Sequence, residues 1–351
     1  MKVLIIQNVI THYNEALYNA LANESNINLT IAHGGARRQD KNIIYDEINF
    51  TFFDFSGFTI IKDKIYNISQ DFDVVIAMSD IRWLSLVSLS FWKRRKFRLV
   101  YWGIGTSASY KTKLDSNRKW DIIRYFMARK ADAMLFYSSY PIDKYVNAGI
   151  VKEKLFVAHN TLEENISFKY NKNKNKLIFI GTLYKEKGIF ELLNAYLKSN
   201  VCNVLELNII GDGDEKDNII EFISKNKLEN SVFVRGAIYD KKELFNYFND
   251  SIACISPSQA GLSVLKSMAN GVPFITKKDA ITGGEIFNIE HNQNGVLYTD
   301  DNDLISICDE ILENPTKYIE LGENAKKYYA KNRQIVDMKK SFIEAINYSL
   351  N

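Results

Sequence analysis

Cysteine is scarce in this chain: Cys202, Cys254 and Cys308 are three among 351 residues, odd in number and far apart. Such a count suits neither a disulfide framework nor a zinc cluster and fits a reducing compartment. The four histidines, His12, His33, His159 and His291, show no ligand spacing, so no metal site follows from them. Charge of one sign is also missing. Lys and Arg number 45 against 42 Asp and Glu, and a formal charge of +3 falls well short of the basic face that nucleic-acid binding requires. No apolar run approaches the roughly 18 residues of a membrane span. The opening Met-Lys-Val-Leu-Ile-Ile-Gln lacks the long apolar segment and small-residue cleavage site of a signal peptide. A cytoplasmic location is expected.

What is present is ordinary for globular protein, 46% hydrophobic and 25% charged, in a chain long enough for two domains. Short apolar runs rich in β-branched and aromatic residues recur at KVLIIQ (from Lys2), LTIAH (Leu29), DVVIAM (Asp73), FRLVYWG (Phe97), AMLFYS (Ala133) and LFVAHN (Leu155). Between them lie stretches of helical spacing such as NEALYNALAN and RKWDIIRYFMARKA. This alternation predicts a parallel sheet covered by helices on both faces. The Asn/Lys run KYNKNKNK, Lys169–Lys176, has nothing to bury after Tyr170 and reads as a linker. Beyond it the alternation restarts through LIFIG, LELNIIG, SVFVRG, IACISP and PFITK, each followed by a helical stretch except the last. The expected organisation is α/β with two Rossmann-like doubly wound domains facing a cleft, residues 1–168 and 177–331 around the linker 169–176. A final helical segment, 332–351, would pack back on the first domain. Ligands in such sheets gather at the carboxyl ends of the strands.

The segment ISPSQAGLSVLKSMANGVPFIT, Ile255–Thr276, reads as a strand end, a tight turn at Gly261 and a helix whose first N–H groups are free to meet an anion. Lys187, just before Gly188, would add a cation. The competing reading leaves Gly261 as a turn residue and Lys187 as a solvated lysine at a helix start. Together with FIGTLYKEKGIFELLNAY, Phe179–Tyr196, the segment resembles the donor-binding half of glycosyltransferase family 4. IIGDGDEKD, SVFVRGAIYD and NQNGVLYTDD follow in that family's order and spacing, so the resemblance covers nearly the whole chain.

The resemblance implies the two-lobed GT-B fold and a nucleotide diphosphate sugar as donor, with no metal requirement. Its diphosphate would be held by Lys187 and by the helix start at Gly261, Leu262 and Ser263, with Gly181 and Thr182 beside it and the base near Ala237 and Ile238. Three positions depart from the family pattern. Ser258 and Lys266 stand where the family has two glutamates that contact the donor sugar and the ribose, and Thr182 replaces an arginine. Glu285 matches a family acid loosely. Two explanations stay open: an active subfamily that holds its donor differently, with His12, Lys187 and Ser258 in the catalytic set, or a decayed transferase that persists as a nucleotide-binding or partner subunit.

In the first half, QNVITHYNEALYNAL, LVYWGIGTSAS and LFVAHNTL resemble elements of bacterial polysaccharide transferases, with Asn14 and Ile104 in place of an arginine and a histidine. They imply surface-polysaccharide, capsule or lipopolysaccharide assembly, a glycan or lipid-linked acceptor and, by family relation, retention of anomeric configuration. His12 is a candidate contact to acceptor or donor phosphate, with a structural histidine as the alternative. Tyr13, Asp80, Gly103 and Gly105 are candidate acceptor contacts, and Asp80 reads more readily as a helix N-cap.

The string from Gly103 to Ala108 satisfies a G-x-G-x-x-A pattern, but SYKTKLDSN after it reads as loop, which argues against a nucleotide-cofactor oxidoreductase. Asp212-Gly213-Asp214 and Asp301-Asn302-Asp303 imitate a metal-binding Asp-x-Asp and read better as turns and caps. Finally, Phe91–Arg98 joins aromatic and basic residues after an apolar helix. Such a run can bind an anionic leaflet, giving a peripheral contact with the inner face of the membrane, or can be a solvated helix end.

Overall fold

A computed structural model describes residues 1–35, 43–108, 114–116, 118–163 and 174–351, which divide into two units. The first unit comprises Met1–Ser107, Asp115–Glu163 and Arg333–Asn351; the second comprises Ala108–Leu114 and Glu164–Asn332. Most of the expected linker lies outside the described residues, while Lys176, assigned to it from sequence, is the first residue of a strand.

The first unit holds β1 (Lys2–Gln7), β2 (Asn28–His33), β3 (Asp46–Asn49), β4 (Phe52–Phe55), β5 (Phe58–Ile61), β6 (Val74–Met78), β7 (Arg98–Gly103), β8 (Ala133–Phe136) and β9 (Leu155–Val157). All but β4 and β5 form one parallel sheet in the order β3-β2-β1-β6-β7-β8-β9. The strands β1, β2 and β7 are exposed at the first residue and buried thereafter, as continuous Val, Leu and Ile runs require when helices cover both faces. Those helices are α1 (Glu15–Ala22), α2 (Ile65–Ser69), α3 (Leu84–Ser88), α4 (Asp121–Lys130) and α5 (Ile142–Asn147). The strands β4 and β5 pair antiparallel as a separate hairpin, turned at Ser56 and Gly57 with φ 50° and 82°.

The second unit holds β10 (Lys176–Ile180), α6 (Ile189–Lys198), β11 (Glu206–Ile210), α7 (Lys216–Lys225), β12 (Val232–Gly236), α8 (Lys241–Asp250), β13 (Ser251–Ile255), α9 (Leu262–Ala269), β14 (Phe274–Lys277), β15 (Gly295–Tyr298), α10 (Asp301–Glu313) and α11 (Pro315–Asn332). Its six parallel strands run β12-β11-β10-β13-β14-β15, the 3-2-1-4-5-6 order of a doubly wound sheet. One face buries Leu177, Phe179, Leu207 and Ile209 against Leu192, Leu193 and Tyr196 of α6 and Cys308 of α10. Helices α9 and α11 pack together on β13 and β14. The motif Asp301-Asn302-Asp303 is a helix start, with Asp300 at the N-cap of α10 and Asp303 closing a capping box.

The last helix, α12 (Ile335–Leu350), belongs to the first unit although it follows the second in sequence. Its Met338, Phe342, Ala345 and Ile346 are buried with Ile5, Leu17, Tyr18 and Trp102, and the Phe342 ring meets Trp102 edge-on at 4.9 Å. Thr161 donates its hydroxyl to the carbonyl of Arg333 at 2.5 Å, holding the entry to this helix.

Candidate functional site

Ligands of doubly wound sheets sit where strand order reverses, beyond the carboxyl ends. In the second unit that point lies between β10 and β13. After β10, Gly181 and Thr182 lead into a single 3-10 turn, Lys185–Lys187, closed by Gly188 at φ 74°. A Cβ on Gly188 would stand 2.6 Å from Ser258 Oγ, so only glycine lets this turn lie against the segment that follows β13. The Ser258 N–H donates to the Lys187 carbonyl at 3.4 Å, and the Ile281 N–H donates to the Ser258 carbonyl at 3.0 Å.

Lys187 is half-buried, its Nζ lying over Gly181, 3.1 Å from where a Cβ would be. Burial alone pulls its pKa down to about 8, and among the described residues no carboxylate pairs with it. Facing the same strand ends, α9 starts at Leu262 with Gly261 at the N-cap and no side-chain cap. Around Gly261 the space is open; a Cβ there would meet only Gln259 Nε2, at 4.0 Å. A desolvated ammonium beside an uncapped helix start is an arrangement that favours a polyanion.

Behind Ser258 stands a charged network that sequence reasoning missed. Glu191, in the first turn of α6, accepts from Ser258 Oγ at 3.2 Å and from Lys277 Nζ at 2.6 Å. Lys277 also pairs with Asp301 at 2.7 Å. Desolvation opposes its charge, yet the hydrogen bonds to Asp301 and Glu191 hold its pKa above the ordinary lysine value. These residues converge because β13, β14 and the start of α10 end at one rim, and nothing local in the chain marks them.

The other donor candidates are dispersed along that rim. Lys266 is half-buried on α9, one turn beyond Leu262 and Ser263. Ala237 and Ile238 follow β12, separated from β10 by β11. Glu285 is buried and bound to its own loop, accepting from Gly283 N–H at 2.9 Å and Thr282 Oγ1 at 3.3 Å.

In the first unit His12, Tyr13, Asp80 and Gly105 follow the carboxyl ends of β1, β6 and β7, and Gly103 is the last residue of β7. His12 and Tyr13 pack edge-on at 5.6 Å. Asp80 is engaged by Arg82, whose Nε donates to both carboxylate oxygens at 3.0 and 3.1 Å. It is not the N-cap of α3, a position that Trp83 occupies. Gly103 ends β7 against Ser79, and Gly105 adopts φ 77° with its carbonyl accepting from Tyr145 OH at 3.0 Å. Most of SYKTKLDSN, the stretch after Ala108 read from sequence as a loop, lies outside the described residues. Among the described residues no group of three or more His, Cys, Asp or Glu side chains is placed to hold a metal ion.

These features define a doubly wound α/β protein with an anion-receptive switch point in its second unit. Residues 162–328 match the family described as glycosyl transferases group 1. The whole chain has the GT-B fold of HepE from Anabaena: TM-score 0.77 at 17% identity, over 99% of this chain and 100% of that one. HepE has been crystallised with UDP, with UDP and glucose, and with UDP-glucose. An uncharacterized 41.2 kDa protein of the Klebsiella pneumoniae cps region is 28% identical over 63% of this chain and 63% of its own length. Protein CapJ of Staphylococcus aureus is 33% identical over 30% of this chain and 29% of its own. The matches thus span less than two thirds of these two relatives.

Proposed function

We propose that the protein is a glycosyltransferase that moves a sugar from a nucleoside diphosphate sugar to a glycan or lipid-linked acceptor in the synthesis of a bacterial surface polysaccharide. The observation that carries this reading is Lys187, a partly desolvated, unpaired ammonium beside the uncapped start of α9. The relative in a cps region supports the polysaccharide, and the UDP-bound HepE structures support UDP as the nucleotide.

On this reading the diphosphate lies between Lys187 and the N–H groups of Leu262 and Ser263. Charge developing on the departing diphosphate is met there by groups already in place, the most effective form of electrostatic catalysis. Cation and dipole are both supplied by the chain, so turnover is expected to persist in excess chelator. Ser258, held by Glu191, presents a hydroxyl at the donor sugar, and Lys266 supplies a cation nearby. The base falls near Ala237 and Ile238, and the acceptor at the strand ends around His12, Tyr13, Asp80, Gly103 and Gly105. Transfer retains anomeric configuration, which the coupling constant of the product's anomeric proton reports. A contact of Phe91–Arg98 with the inner membrane face gives access to a lipid-linked acceptor.

The test is a thermal-shift screen against UDP, GDP, dTDP, CMP and their sugars, with Lys187→Ala alongside. Stabilisation by the UDP series, lost in the variant, is expected. Absence of any shift overturns the nucleotide site. Binding without transfer or hydrolysis identifies instead a decayed transferase, the alternative that the departures at Ser258 and Lys266 leave open.

A further inference from the structure

The rim beyond Ser258 is acidic. Glu191 accepts from Ser258 Oγ through one oxygen, at 3.2 Å, and from Lys277 Nζ through the other, at 2.6 Å. A carboxylate offers about four lone-pair sites, so these two bonds leave acceptor capacity on a side chain that is 33% exposed. Lys277 divides its charge between Glu191 and Asp301, the latter 2.7 Å away and 68% exposed. Tyr298, paired across the sheet with Lys277, is buried, and its hydroxyl has no partner among the described residues. Burial raises the pKa of that hydroxyl, and the charges of Glu191, Asp301 and Asp279 raise it further. Three carboxylates therefore act on one place, with Lys277 among them. The charge of exposed Lys278 is felt at Asp303 of α10.

Strand order sets this acidity apart from the cation of the switch point. The strand β10, whose exit carries Lys187, flanks β13 on one side, and β14, which ends in Lys277, flanks it on the other. Adjacent strands lie about 4.8 Å apart. Glu191 reaches from α6 across the exit of β13, touching Ser258 and Lys277 together. A sugar joined to a diphosphate at Lys187 and lying over Ser258 therefore meets the carboxylate of Glu191.

We infer that the donor sugar carries no carboxylate, and that Glu191 is the residue that excludes sugars that do. The inference rests on the reading of the switch point as the donor site. Sugar hydroxyls donate to the open lone pairs of Glu191. A uronic acid replaces one such donor by a second negative charge. At an effective dielectric of about 20, a carboxylate held about 6 Å from Glu191 is disfavoured roughly a hundredfold, of which about tenfold should remain once Lys277 offsets part of it. Repulsion of this kind rejects a class of donors without choosing one sugar.

The experiment is calorimetric titration of the full chain with UDP, with UDP-glucose against UDP-glucuronic acid, and with UDP-galactose against UDP-galacturonic acid. Each pair differs only at the sixth carbon. In both pairs the uronate is expected to bind about tenfold more weakly than its neutral partner. Glu191→Gln should bring the partners within about threefold by raising affinity for the uronate, with UDP affinity unchanged, and Glu191→Asp should keep the gap. A merely structural role would move all the affinities together, that of UDP included. A uronate that binds as tightly as its neutral partner overturns the inference, and one that binds more tightly overturns it in favour of Lys266 on α9. A gap that persists in Glu191→Gln overturns the part given to Glu191. Failure of UDP itself to bind removes the donor site and the inference with it, whereas UDP binding with no gap in either pair removes the inference alone.

Discussion

Replacing Lys187 by alanine removes the cation at the β10 rim and leaves its surroundings in place, since no side chain among the described residues depends on it for an ion pair. A hydrogen bond to a charged group is worth about 1.5–3 kcal/mol, which at 1.4 kcal/mol per factor of ten predicts roughly a 10- to 100-fold loss in UDP affinity. The pH dependence is more specific. With the pKa of Lys187 lowered to about 8, the free protein carries the ammonium below that pH and sheds it above. The diphosphate binds the protonated form, so affinity should be flat below pH 8 and fall by up to tenfold per unit above it. Calorimetric titration of UDP from pH 6.5 to 9.5 reads both effects, with Lys187→Ala weak and flat and Lys187→Arg keeping the affinity constant across the range. A wild-type affinity that does not change between pH 7 and 9.5, or an alanine variant that binds as tightly as wild type, refutes the assignment.

Glu191→Gln weakens the hold on Lys277 and on the Ser258 hydroxyl, so kcat should fall several-fold while UDP affinity changes little; an unchanged kcat removes Glu191 from the site. His159 is held near pKa 4 by burial, with Arg333 adding repulsion, so NMR titration should find it neutral at pH 5 and above. Because its folded pKa lies below the unfolded value of about 6.5, the unfolded chain binds more protons in that window, and stability should decline as pH falls from 6.5 towards 4, less so in His159→Gln. Phe342→Ala empties a fully buried site against Trp102 and should destabilise the first unit by about 3–5 kcal/mol in urea unfolding. Gly188→Ala places a Cβ 2.6 Å from Ser258 Oγ at positive φ, and is expected to lower both thermal stability and UDP binding.

The central strands were legible because burial on both faces leaves an uninterrupted apolar run, as in β1, β6 and β13. The strands β3, β4 and β5 were not seen, since β3 has no buried residue and β4 is exposed at every residue, so neither shows such a run. Lys176 was read with the linker by its composition, although it pairs in β10 with Glu206 of β11. In the site, Lys187 and Gly261 could be found because each lies beside a turn with a local signal. Glu191 and Lys277 could not, since they are 86 residues apart in sequence and are joined only by the order in which the strands end. Of the two readings of Asp80, the helix cap fails because Arg82, two residues away, forms an ion pair with it that spacing does not reveal.

The placement of α12 has a consequence for synthesis on the ribosome. The first unit lacks one wall of its core until residues beyond Arg333 have emerged, while Glu164–Asn332 is contiguous and needs nothing downstream. At about 5–20 residues per second, the 170 positions from Glu163 to Arg333 take roughly 10–30 s to translate. For that interval the part made first waits with Ile5, Leu17 and Trp102 uncovered, and the part made second is the first able to finish. Chaperone demand during translation should therefore fall on the amino-terminal half, and a ribosome stalled before Arg333 should display it in a protease-sensitive form.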